Sequence, residues 1–112
     1  MRPELLKGHL DGLLLAVLEP HPLHGYAVID AVRSASTGAF DLPTGTVYPA
    51  LHRLERAGLI VSEDEVVGGR RRRMYRLTAA GVAALSQQRT IWHQFATAVD
   101  AVLGRTPWPA TP

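Results

Sequence analysis

The sequence predicts an α+β chain, mainly α, and three observations carry that prediction. Apolar residues recur at helical spacing in three short segments ahead of Gly58; a Gly68-Gly69 pair then separates two runs of strand-forming character; and a further apolar stripe of helical period runs from Val82 to Leu103. Three helices, a hairpin and a long helix, in that order, make a winged helix-turn-helix with a long C-terminal dimerisation helix.

The first helix is predicted over roughly His9 to Glu19, where Leu10, Leu13, Leu14, Val17 and Leu18 share a face until Pro20 and Pro22 stop the pattern. The Pro-His-Pro-Leu segment reads as a turn. Tyr26, Ile29 and Val32 then mark a second helix from about His24 to Ser36, ended by the Thr37-Gly38 break. After a connector, Thr44 or Thr46 caps a third helix that runs to Ala57, with Gly58 closing it in a left-handed conformation. Pro49 limits how early this helix starts, since proline suits only the opening turn. The hairpin spans about Leu59 to Leu77, its tight turn supplied by the glycine pair. Thr78 opens the last helix, which reaches about Leu103, and the proline-rich end has no periodic pattern.

Composition narrows the class. With 112 residues, 46% of them hydrophobic, the chain forms one domain with a modest core, a size that often gains from oligomerisation. There is no cysteine, which excludes disulfides, thiolate nucleophiles and cysteine-based metal centres. The longest apolar run, Leu13 to Leu18, is too short to span a bilayer, and the N-terminus lacks the layout of a signal peptide. A cytoplasmic location is expected.

Net charge is only +2, but it is segregated. Glu63, Asp64 and Glu65 precede the hairpin turn, whereas Arg70, Arg71, Arg72 and Arg73 follow it and, with Arg76, make up five of the twelve basic residues. Arginines on a stiff hairpin neutralise phosphate and release counterions, the largest generic source of affinity for nucleic acid. The alternative is a solvated hairpin tip. The third helix favours the first reading: Val47, Leu51 and Leu54 share one side, while Thr46, Pro49, His52, Arg53 and Arg56 share the other. Such a face suits the major groove, with Arg53 able to pair with guanine, His52 to reach a base edge or phosphate, and Thr46 at the positive helix end. His24 and Tyr26 on the second helix would lie near phosphate, and Thr44 and Tyr48 complete the contact set. An ordinary amphipathic surface helix is the competing reading.

At this point the residues resemble a known family. Thr46-Val47-Tyr48-Pro49-Ala50-Leu51-His52-Arg53-Leu54-Glu55 followed by Gly58-Leu59-Ile60 is similar to the recognition-helix signature of PadR transcriptional regulators. Gly69 through Gly81 resembles that family's wing and the start of its dimerisation helix, and Leu10-Asp11-Gly12-Leu13-Leu14-Leu15 and His24-Gly25-Tyr26 fit as well. The similarity covers about Leu10 to Leu103 and, with a single C-terminal helix, matches the family's shorter branch. It implies a homodimeric, usually repressing DNA-binding protein whose affinity a small effector can lower. One departure is visible: where members often carry a tryptophan in the first wing strand, this chain has Glu63-Asp64-Glu65.

Domain organisation follows: an N-terminal arm over 1–8, the DNA-binding winged helix-turn-helix over 9–77, the dimerisation helix over 78–103 and a disordered tail over 104–112. Independently of the family, Leu85, Trp92 and Val99 fall seven apart, as do Phe95 and Val102, and this seam calls for a second chain as its cover. Helix one, through Leu10 and Leu14, can fill the partner's seam; intramolecular packing on helix one is the other option. Two copies of Trp92 facing each other would leave a slot for a flat aromatic effector, walled by Ile91 and Phe95 and oriented by Gln88. The resemblance supports this, because multidrug-sensing members use a tryptophan at the matching place. Catalysis fares badly: the five histidines include no ligand pair beside a base, and no nucleophile with its general base is visible. His21 and His24 could in principle share a metal, but no metal site or cofactor is expected. The partner expected is double-stranded DNA with a pseudo-palindromic operator; the rival is a winged-helix protein-interaction module without DNA binding.

Overall fold

The computed structural model describes Leu6 and residues 8–104. The arm expected over 1–8 and the tail expected over 104–112 lie outside the described residues, apart from Leu6, Gly8 and Gly104. Seven elements follow in order: α1 (Leu10–Leu18), β1 (Leu23–His24), α2 (Gly25–Ala35), α3 (Thr44–Arg56), β2 (Ile60–Val67), β3 (Arg70–Leu77) and α4 (Ala79–Leu103). This is the winged helix-turn-helix with its long last helix.

Strand β1 is the element the sequence does not announce. Its two residues sit in the segment read as a turn, yet they pair antiparallel with β3, Leu23 opposite Tyr75 and His24 opposite Met74, giving a sheet in the order β1-β3-β2. The pairing ties the start of α2 to the wing. Between β2 and β3 the turn is the expected one: Gly68 and Gly69 have φ of 57° and 78°, the left-handed pair that matches strand twist in a two-residue hairpin. The register then runs Val67 opposite Arg70, Glu65 opposite Arg72 and Asp64 opposite Arg73 down to Ile60 opposite Leu77.

Helix ends follow local chemistry, with one correction. The Thr78 hydroxyl accepts the Gly81 N–H at 3.0 Å to open α4, and the His24 ring nitrogen accepts from Ala27 at 3.3 Å to open α2. Neither Thr44 nor Thr46 caps α3. Pro43 holds the cap position, and its carbonyl takes the N–H groups of Thr46 and Val47 at 3.0 and 3.1 Å. The helix therefore begins well ahead of Pro49, beyond the opening turn to which proline was expected to be confined. At the other end Leu59 N–H reaches Leu54 carbonyl and Gly58 N–H reaches Glu55, each at 3.0 Å, which satisfies the last carbonyls. The end of α2 uses the same double bond pattern, from Gly38 to Arg33 and Thr37 to Ser34. There the left-handed position is filled by Thr37, at φ 52°, a strained choice for a β-branched side chain.

The core is wholly apolar among the described residues. Leu14, Leu15 and Leu18 from α1, Val28, Ile29 and Val32 from α2, and Val47, Ala50, Leu51 and Leu54 from α3 meet Leu42, Ile60, Tyr75 and Leu85. Only the first turns of α4 touch this cluster. The rest of that helix projects from the body, giving a molecule of 60 × 27 × 22 Å.

Candidate nucleic-acid interface

Burial of one side of α3 dictates what the other side offers. With Val47, Ala50, Leu51 and Leu54 turned inward, Thr44, Gly45, Pro49, His52 and Arg56 are exposed. Tyr48, Pro49, His52 and Arg56 line a shallow depression on this outer face. Tyr48 itself is held. Its ring lies so close over Gly25 that a Cβ there would stand 2.3 Å from the phenolic oxygen, and Tyr26 packs edge-on at 6.1 Å. Burial, then the neighbouring Tyr26, push the Tyr48 phenol up despite the pull of Arg72, so it stays a protonated donor. Glycine at position 25 is thus what lets the reading helix and the start of α2 meet.

The wing carries less free charge than its arginine count suggests. Asp64 stands opposite Arg73 and pairs with it at 3.2 Å, while Arg76 binds Glu63 and lies 3.6 Å from Glu65. All three acids of β2 are thereby committed. Arg70, Arg71 and Arg72 have no carboxylate partner among the described residues. Because side chains alternate along a strand, Arg70 and Arg72 share the face of Met74 and Arg71 that of Tyr75, so positive charge is presented on both faces of the tip. Arg72 reaches towards α2: burial first, and then this guanidinium, hold the His24 imidazole below its ordinary range. The Ser62 hydroxyl donates to Glu55 at 2.7 Å and fixes the hairpin base to α3. Tyr48 of the reading helix, His24 at the start of α2 and Arg72 of the wing thus lie near one another.

Residues 14–87 match the Transcriptional regulator PadR-like family. The chain belongs to that family. A Mycobacterium tuberculosis protein, Transcriptional regulator Rv3488, is 43% identical over 90 residues, covering 75% of this chain and 83% of its own. Among solved structures, a PadR family transcriptional regulator from Eggerthella lenta is 32% identical with a TM-score of 0.76, the match covering 92% of this chain and 88% of that one. A PadR-like transcriptional regulator from Bacillus cereus superposes with a TM-score of 0.80 at 25% identity, over 89% and 96% of the two chains. As a PadR-family member the chain is a DNA-binding transcriptional regulator.

Against that frame of homologues, several expected site residues sit elsewhere than anticipated. Arg53 does not extend over the outer face of α3; its guanidinium is bonded to Asp11 of α1. Leu14 and Leu85 are not free to meet a second chain, being 0% and 2% exposed in this chain's own core. The course of the stripe on α4 accounts for this burial. Its N-terminal end lies over α1 and is consumed within the subunit, whereas the same stripe further on is bare: Trp92, Phe95 and Val102 are 52%, 55% and 65% exposed. Leu10 and Val99 are partly buried. Gln88 packs against α1 at Gly12, one turn before Trp92. Trp92 has Phe95 at 5.9 Å and, edge-on at 5.2 Å, His9 from the start of α1, with Ile91 exposed beside it. The contacts of His9 with Trp92 and of Asp11 with Arg53 have no signal in the sequence. His21 lies beside the Pro22 carbonyl and His24 caps α2, so both are engaged in local structure. No helix among the described residues is long and apolar enough to cross a membrane.

Proposed function

We propose that this PadR-family regulator acts as a homodimeric repressor, without catalytic activity, on chromosomal DNA in the cytoplasm. Two copies join through the bare stripe of α4, each setting α3 into the major groove and its wing on the flanking backbone. The observation that carries this reading is the pairing of an exposed α3 face, Pro49, His52 and Arg56, with a wing whose Arg72 charge is felt at Tyr48 and His24 and whose Arg70, Arg71 and Arg72 have no acid partner in the described chain. His24, Tyr26, Thr44, Thr46 and Tyr48 complete the contact set, and Arg73 contributes while sharing its charge with Asp64. Two-fold symmetry makes the preferred operator a pseudo-palindrome with half-site centres one helical turn or a multiple apart. Fluorescence anisotropy on duplexes recovered from source genomic DNA tests the assignment. Sequence-preferring, salt-dependent binding is expected; a protein that ignores duplex DNA at low salt would instead be a protein-interaction module.

Release by a small planar aromatic compound is the regulatory half of the proposal. Trp92 and Phe95 present adjacent, mutually tilted, half-exposed rings, and a second copy facing them would enclose a flat ligand between indoles, with Ile91 as wall and Gln88 at the edge. Such a ligand relieves repression only by favouring the dimer geometry that fits DNA poorly. Planar aromatic cations and phenolic acids are screened against Trp92 fluorescence in a Trp108→Phe background. Compounds that quench and also release operator support the slot; if no compound does both, Trp92 is a packing residue.

A further inference from the structure

We infer that Asp11 withholds Arg53 from DNA, so that the reading helix carries a cation in reserve whose release depends on the position of α1. The inference rests on the DNA-binding reading above. The ion pair joins residues 42 positions apart, with Arg53 55% and Asp11 42% exposed. Both residues line an open cavity of about 480 Å³ between α1, the connector before α3, and α3 itself. Both partners are therefore in water, where such a pair is weak and opens easily. At about 100° per residue, Arg53 lies roughly 60 to 70° round α3 from the line of Pro49, His52 and Arg56. From there a long guanidinium side chain reaches inward to Asp11 or outward to a backbone phosphate beside the groove, but not to its floor. The acid on α1 decides which.

What makes this more than a surface contact is the company α1 keeps. The same helix packs on α4, with Gly12 against Gln88 and Glu19 bonded in bidentate fashion to Arg89 at 2.9 and 3.1 Å. His9, at its start, meets Trp92. Any shift of α1 along α4 moves Asp11 relative to Arg53, and thereby adds or removes one phosphate contact on the reading helix.

The test compares salt slopes of binding to one operator duplex, between 50 and 200 mM salt, for the wild type and four variants. Asp11→Asn should steepen the slope of log affinity against log salt by about 0.9, the value of one phosphate, and tighten binding severalfold at 50 mM. Arg53→Ala alone should change neither by much, and Asp11→Asn with Arg53→Ala should return to wild-type values. Asp11→Glu, which keeps the charge, should resemble the wild type. Far-UV circular dichroism and urea midpoints confirm folding, and Asp11→Ser stands in if the asparagine variant unfolds. An unchanged or shallower slope in the uncharged variants, or a loss for Arg53→Ala equal to that of a wing arginine, overturns the latch while leaving DNA binding intact. A wild type that binds no duplex at low salt overturns the DNA-binding reading, and the latch with it.

Discussion

Gly25 shows how a single missing side chain couples two elements. The Tyr48 ring occupies the space a Cβ would need, so Gly25→Ala must drive the ring off α2 or part the two helices. A cost of about 1 to 3 kcal/mol is expected, as for other overpacked sites, and Tyr48→Ala should restore most of it; urea unfolding of the single and double variants checks the coupling. His24 next to it sets a pH dependence. Burial, then the Arg72 charge, lower its pKa from 6.5 against the pull of Asp30, and the ring nitrogen that caps α2 accepts only when neutral. The native state thus binds fewer protons than the unfolded one. Its contribution is present in full above the unfolded pKa and is lost as pH falls below 6.5. A falling urea midpoint between neutral pH and pH values below 6.5 is expected, and His24→Asn, which caps without titrating, should flatten that part of the curve.

Among elements, the ends of α2 and the hairpin give the sharpest expectations. Thr37 closes α2 in a left-handed conformation that suits glycine, and its backbone bonds need no side chain. Thr37→Gly should therefore raise stability by about 0.5 to 1 kcal/mol, measurable as a higher urea midpoint with unchanged slope. The hairpin divides its own charges. Replacing Arg70, Arg71 or Arg72 with alanine should each flatten the salt slope of DNA binding by up to about 0.9, whereas Arg73→Ala should do less because Asp64 already shares its charge. Equal effects of all four would show that the cross-strand pair opens fully on DNA. Register alone does not set this division, since Glu65 stands opposite Arg72 as Asp64 does opposite Arg73, yet only Arg73 is paired.

For the whole molecule, the stripe on α4 is split by how far the core extends. Near its start the helix lies over α1 and buries Leu85; further on it has left the body and shows Trp92, Phe95 and Val102 to solvent. Phe95→Asp with Val102→Asp should hence yield a folded monomer by light scattering, where the proposed function expects the wild type to be a dimer. Leu85→Asp should unfold the chain instead, because its charge would enter a core with no buried polar partner among the described residues. A dimer that survives the first double change would move the interface to another face.

What the residues determined by themselves is nearly everything that depends on neighbours in sequence. Apolar periodicity marked α1, α2, α3 and α4, the glycine pair marked the turn, and Thr46 to Ile60 with Gly69 to Gly81 marked the family. The outer face of α3 was legible because its inner face is so apolar. Strand β1 was not, since two residues carry no period and acquire strand geometry only by lying against Tyr75 and Met74. The pairing of Arg53 with Asp11, the seat of Tyr48 on Gly25, and the burial of Leu14 and Leu85 likewise depended on how helices pack. Spacing along one helix tells which side chains share a face, but which face a distant helix will cover is settled only when the core closes.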